Sequence, residues 1–160
     1  MVEHEIHILA VVGSIPTPGT ILSILKNMDC IFCKIIKGEL PSFKVAENDK
    51  FYAFLSIAPH HVGHTLVIPK THVDDFFDMD ENLLKEILIF SKPLADALNK
   101  AFSPKTGRVG VVVAGLEVPH AHLHLIPMDQ VSDLYFSSAK QASPEELQAS
   151  LDKVKTVLNS

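Results

Sequence analysis

Residues 119–127 read PHAHLHLIP, three histidines each followed by an apolar residue. Successive side chains of a strand point to opposite faces. This alternation therefore sets His120, His122 and His124 on one face and Ala121, Leu123 and Leu125 on the other. A helix would scatter the set, because residues two apart do not share a helix face. The stretch predicts a strand with one apolar and one imidazole face, and the rest of the chain has to cover both. Histidine is not a favoured strand residue, and three in register repel one another once protonated, so the row is predicted to be functional. Imidazole titrates near neutral pH. Neighbours on the face stand roughly 6.5–7 Å apart at Cα. One ring can then attack while the next donates a proton to a leaving group, or two rings can share a metal ion.

The chain has 160 residues, enough for one domain with a sizeable core. A net charge of −5 without any Lys/Arg run argues against a nucleic-acid polymer as partner. A single nucleotide needs only a few local donors. No apolar run approaches the roughly 20 residues of a membrane span. Cysteine occurs only in Cys30-Ile31-Phe32-Cys33, too little for a disulfide framework. Beside nine histidines, this C-x-x-C reads as part of a zinc site. A redox pair is disfavoured, since the βαβ context of a thioredoxin-like motif is missing. Glu3 and Glu5 precede the short apolar run 6–12 where a secretory signal would carry positive charge. A cytoplasmic, reducing setting is expected.

Along the chain, residues 1–28 read as an N-terminal extension, disordered or an appendage of an alternative start at Met28. The breaker-rich Gly13-Ser14-Ile15-Pro16-Thr17-Pro18-Gly19 interrupts it. Residues 29–130 form the main domain and 131–160 a tail whose helix packs on it. Residues 30–37 predict a short helix with Asp29 as N-cap, Gly38 as stop, and Ile31, Phe32, Ile35 and Ile36 turned inward. Strands are expected at 43–47 and 51–55, as a hairpin, then at 64–68, 108–114 and the histidine stretch. Asp78 or Asp80 caps a long helix to about Ala101, with an apolar stripe that includes Leu88 and a Pro93 that kinks it. Ser143-Pro144-Glu145-Glu146 opens a final helix. Strands without regular β-α alternation predict an α+β fold with a mainly antiparallel sheet, the long helix on one face and the histidines on the other.

Residues 29–129 resemble the histidine triad (HIT) family of nucleotide hydrolases and transferases. The resemblance rests on HAHLHLI at 120–126, CIFCKIIKGELPS at 30–42 and GHTLVIPKTH at 63–72. It is nearest to the small microbial, Hint-like branch with the cysteine pair. The resemblance implies a five-stranded antiparallel sheet with a long helix, and a homodimer. It implies that His122 attacks the α-phosphorus of a purine nucleotide to form a nucleotidyl-histidine, that His124 contacts the phosphate, and that His64 orients His122 or completes the polar site. It also implies a structural zinc on Cys30, Cys33, His72 and His120, with no cofactor in the chemistry itself. Phe32, Phe54 and Ile57 match residues that sandwich the base, and Ser56 stands where relatives carry an aspartate for the ribose. Gly115, Leu116 and Glu117 match the loop that approaches the phosphate, with Glu117 replacing a hydroxyl or amide. The substrate class implied is a phosphoramidate such as adenylyl-lysine, with dinucleoside polyphosphates as the alternative. Two other readings remain open: a metal-dependent hydrolase using the three histidines as ligands, and a non-catalytic nucleotide-binding scaffold. His60 and His61 fit no motif; they lie in a loop near the expected pocket mouth and are expected to be solvated.

Overall fold

A computed structural model describes residues 29–160 together with Thr17 and Gly19; the expected extension 1–28 otherwise lies outside the described residues. The sheet has five antiparallel strands in the order β1-β2-β3-β5-β4. They are β1 Lys44–Glu47, β2 Phe51–Leu55, β3 Thr65–Pro69, β4 Arg108–Val112 and β5 Leu123–Met128. Among the described residues three α-helices accompany it: α1 Ile31–Ile36, α2 Glu81–Phe102 and α3 Pro144–Leu158. The α+β expectation is met in strand number, direction and helix placement. Among the described residues no helix is long and apolar enough to cross a membrane.

Alternation divides the sheet into two faces. Phe51, Ala53, Leu55, Val67, Leu123 and Leu125 form one core with Ile87, Leu94, Ala97 and Leu98 of α2 and Leu147, Leu151 and Val154 of α3. The tail thus shares the central core. On the opposite face Tyr52, Phe54, Leu66 and Ile68 pack against Cys30, Phe32 and Cys33 of the α1 segment. Phe54 is in register with Leu66, and Leu66 with His124. A row of side chains therefore crosses three strands on the face that carries the histidines. β3, central in the sheet, is buried along its whole length, as its continuous apolar run predicts.

Several local expectations are corrected. The histidine strand begins at Leu123, so His120 and His122 precede it. Its ladder with β3 stops at Val67–Leu123. Pro69 has no N–H to extend it, and the amide of Ala121 donates instead to the Val73 carbonyl at 2.6 Å. The N-cap of α1 is Cys30, not Asp29, and no side chain caps that end. Ile31 of α1 and Leu88 of α2 are exposed, because each stripe is narrower than the apolar residues around it. α2 runs unbroken through Pro93 from an Asp80 cap, and Ser103 at φ 43° ends it. α3 opens with the expected capping box of Ser143 and Glu146.

One glycine matters for the site. Gly63, immediately before His64, has φ +86°, and a Cβ there would run into the Phe102 ring. Only glycine lets the loop after β2 return tightly enough to deliver His64 onto the sheet.

Candidate functional site

Around His120 the structure brings together Cys30, Cys33, His72 and His120, with donor atoms all within 4.8 Å of one another. Cys30 Sγ lies 3.4 Å and Cys33 Sγ 3.5 Å from His120 Nδ1. Cys33 Sγ lies 3.3 Å from His72 Nδ1. The C-x-x-C spacing puts both thiols on the first turn of α1, and the segments after β3 and before β5 supply the imidazoles. His120 Nε2 donates to the Pro69 carbonyl at 2.8 Å, which leaves Nδ1 as the lone-pair nitrogen facing the sulfurs. A ligating imidazole whose other nitrogen is held by a carbonyl is the usual arrangement around a metal. Two thiols and two imidazoles suit a tetrahedral ion such as zinc. Burial, then the neighbouring Cys30, pushes the Cys33 thiol up to about 11. Without a cation the Cys33 sulfur stays protonated, and metal binding requires the thiolate. The chemistry of the donor set therefore fits a divalent ion.

The remaining histidines form a second cluster on the same face. His64, His122 and His124 are 2%, 7% and 7% exposed. Their hydrogen bonds determine their tautomers when the rings are neutral. The main-chain N–H of His60 donates to His64 Nδ1 at 3.2 Å, so the His64 proton sits on Nε2. That nitrogen lies 2.9 Å from His124 Nδ1 and donates to it, which places the His124 proton on Nε2. His124 Nε2 has no partner and is sealed from water. His122 Nδ1 donates to the His120 carbonyl at 2.6 Å, leaving a lone pair on its Nε2. One ring thus offers an uncommitted base or nucleophile. Its neighbour, 4.9 Å away between centroids, offers an uncommitted N–H donor. His64 bonds His124 and so completes the polar site without orienting His122. The His120 ring belongs to the thiol cluster, so the three triad histidines do not converge as ligands of one ion.

The expected pocket residues divide. Phe32 and Phe54 are buried and meet edge to face at 5.5 Å. Phe32 also contacts the His122 ring at 5.4 Å, so this pair borders the cluster. Ser56 is half-buried at the end of β2. Ile57 and Leu116 are 59% and 91% exposed and make no wall. Gly115 takes φ +69°, and Glu117 is exposed on the same loop, where solvent screens its charge.

His60 and His61 are not solvated loop residues. His61 Nδ1 donates to the Val62 carbonyl at 3.0 Å, and its Nε2 lies 3.5 Å from Asp129. The His60 ring packs on His64 at 4.7 Å and on Phe136 at 5.1 Å. Phe136, from a single turn at Phe136–Ser138, also meets the His124 ring at 5.6 Å. No sequence pattern marks either residue, because their contacts come from the meeting of the loop after β2 with the C-terminal segment. Where these segments meet lies a cavity of about 740 Å³, lined in part by His60, His61, His64, Ser138, Ala142 and Leu147.

Comparison with known proteins places this geometry. The HIT domain family profile matches residues 37–131. An uncharacterized HIT-like protein of Borreliella burgdorferi is 46% identical over 62% of this chain and 75% of its own length. The adenosine 5'-monophosphoramidase of Saccharomyces cerevisiae is 45% identical over 61% of each chain. A zinc-bound histidine triad family protein of Mycobacterium smegmatis superposes with a TM-score of 0.69 at 27% identity, covering 83% of this chain and 95% of that one.

Burial holds His64 down to about 2 and His124 to about 4, and the neighbouring imidazoles add to both shifts. Unfolded histidine titrates near 6.5. Below that pH the unfolded chain binds more protons than the folded one, so stability is full above about 6.5 and falls as the pH descends toward about 4. Urea denaturation is expected to show a falling midpoint between about pH 7 and about pH 5, with a shallower fall in His64→Asn.

Proposed function

The chain belongs to the HIT family, and on that premise we propose that it is a nucleotide hydrolase cleaving the phosphorus–nitrogen bond of a purine nucleoside phosphoramidate. The observation that carries this reading is the pairing of an uncommitted lone pair on His122 Nε2 with an uncommitted N–H on His124 Nε2. The monophosphoramidase activity named for the yeast relative supports the substrate class.

In the proposed sequence the His122 Nε2 lone pair forms a bond to the α-phosphorus. The phosphorus–nitrogen bond breaks, and the amine leaves with that electron pair and takes a proton from water. The positive charge left on the His122 ring is shared through Nδ1–H with the His120 carbonyl, the orienting group a nucleophile needs. His124 donates Nε2–H to a phosphate oxygen. Being neutral, it stabilises charge by a directed hydrogen bond in a dry site rather than as a cation. The hydroxide left by that water then attacks phosphorus, the bond to Nε2 breaks with its electron pair returning to the ring, and the nucleoside monophosphate departs with His122 restored. Phe32 and Phe54 form the apolar wall nearest His122 and would hold the base, with Ser56 offering the ribose one uncharged hydrogen bond. Ile57 and Leu116 would cover the nucleotide from the rim, and Gly115 lets the Glu117 loop bend toward the phosphate. Dinucleoside polyphosphates are the alternative substrates of the same attack. His122→Ala is expected to lower turnover of adenosine 5'-phosphoramidate by about 10³-fold or more while AMP binding persists. Wild-type protein quenched during turnover should carry an adenylyl mass on a His122 peptide, and a scaffold would carry none.

Cys30, Cys33, His72 and His120 would hold a structural zinc ion. It would cross-link α1 to the segment before β5 and take no part in bond cleavage; both cysteines are unpaired, as a reducing, cytoplasmic setting would keep them. Elemental analysis is expected to find about one zinc per chain. Cys33→Ser should lose it and melt at lower temperature.

A homodimer would join two copies at the edge strand β4. Val111 of β4, the adjoining Val113, and Leu88 and Ile89 of α2 are exposed apolar residues, and β4 is an edge strand whose outer edge is unpaired. Sedimentation equilibrium should report twice the chain mass for the wild type and a monomer for Val111→Asp.

A further inference from the structure

Among the described residues two buried side-chain nitrogens lack any hydrogen-bond partner: His124 Nε2 and His60 Nδ1. Folded proteins pair nearly all such atoms, so each calls for a reason. The first has one in the phosphate contact proposed above. The second lies on a residue that no motif predicts and that the proposed reaction has not used.

The aromatic contacts order the site. Phe32 lies 5.4 Å from His122, His122 lies 4.9 Å from His124, and His124 stacks on His60 at 6.3 Å with the rings 26° apart. Phe32 and Phe54 close one end of this series, and His60 the other. With the base at the phenylalanine end, the group beyond the phosphate lies toward His60. The 740 Å³ cavity, lined by His60 and His64 among others, adjoins this end of the series. His60 is also held in place. The amides of Lys140 and Ala142 donate to the Pro59 and Ile57 carbonyls at 3.2 and 3.0 Å, and Phe136 packs on the His60 ring.

We propose that His60 is a further substrate-contacting residue, whose Nδ1 hydrogen-bonds a polar atom of the leaving amine and so helps select the leaving group. This inference rests on the phosphoramidate reading. A role as an aromatic spacer explains the stacking but not the residue type. Phenylalanine would fill the same space without burying an unpaired nitrogen, which carries a desolvation penalty.

Two replacements separate the roles. His60→Phe keeps the ring and removes Nδ1; His60→Asn removes the ring and keeps a polar atom at about the Nδ1 position. Each is assayed against the wild type for kcat/KM on adenylyl-lysine, AMP affinity and melting temperature. The expected result is a loss of about fivefold to tenfold in kcat/KM for His60→Phe, the scale of one hydrogen bond. AMP affinity should hold within about twofold, the melting temperature should be equal or higher, and most of the turnover should return in His60→Asn. Wild-type turnover in His60→Phe, or a loss in His60→Asn that His60→Phe does not share, overturns the inference and leaves the enzyme reading standing. A wild-type protein that turns over no adenylate amine overturns both.

Discussion

The main-chain carbonyl of His120 is the point on which the site depends. It receives Nδ1–H of His122 at 2.6 Å and so decides which nitrogen of that ring is free. The carbonyl stands where it does because the His120 ring is pinned from two sides, by Pro69 and by the thiol cluster. Pro69 contributes twice. Its missing N–H ends the ladder between β3 and β5, and its carbonyl takes up the His120 ring. A residue that shares a face with its neighbours in sequence thereby becomes the structural anchor for one of them. A metal at the four donors would stiffen this anchor without touching His64, His122 or His124.

Much of the fold was legible because its elements are locally encoded. The five strands carry period-two patterns or continuous apolar runs bounded by turn residues, and α2 and α3 announce themselves through Asp80 and the Ser143–Glu146 box. Errors arose where tertiary contacts override local pattern. The histidine stretch alternates cleanly from His120, yet pairing begins only at Leu123, because the partner strand offers a proline. Leu88 fits the stripe of α2 but faces outward. The two histidine clusters were legible as residues: alternation marks His120, His122 and His124, the C-x-x-C spacing marks Cys30 and Cys33, and only the family resemblance of GHTLVIPKTH marks His64 and His72. Their division was not: which ring bonds which depends on a carbonyl and an amide that no side-chain pattern encodes. His60 and Phe136 were invisible for a related reason, as neither lies on a periodic element.

The second histidine cluster shows how a polar group can be prepared without charge. A single main-chain amide, that of His60, sets the tautomer of His64 and through it that of His124. Burial then keeps these rings neutral, so they present directed donors and acceptors in place of diffuse positive charge. Such a site favours substrates whose hydrogen-bond pattern fits over any anion that happens to be near.

The C-terminal segment reaches the loop of His60 through main-chain atoms, the amides of Lys140 and Ala142 meeting the carbonyls of Ile57 and Pro59. Backbone pairing of this kind is indifferent to the side chains that accompany it. Apart from Phe136, whose ring packs on His60 and His124, the segment can therefore drift in sequence while the loop keeps its shape. Evolution has here a wall it can repaint without rebuilding: the lining that the arm gives the cavity can change, and the hydrogen bonds among the histidines stay as they are.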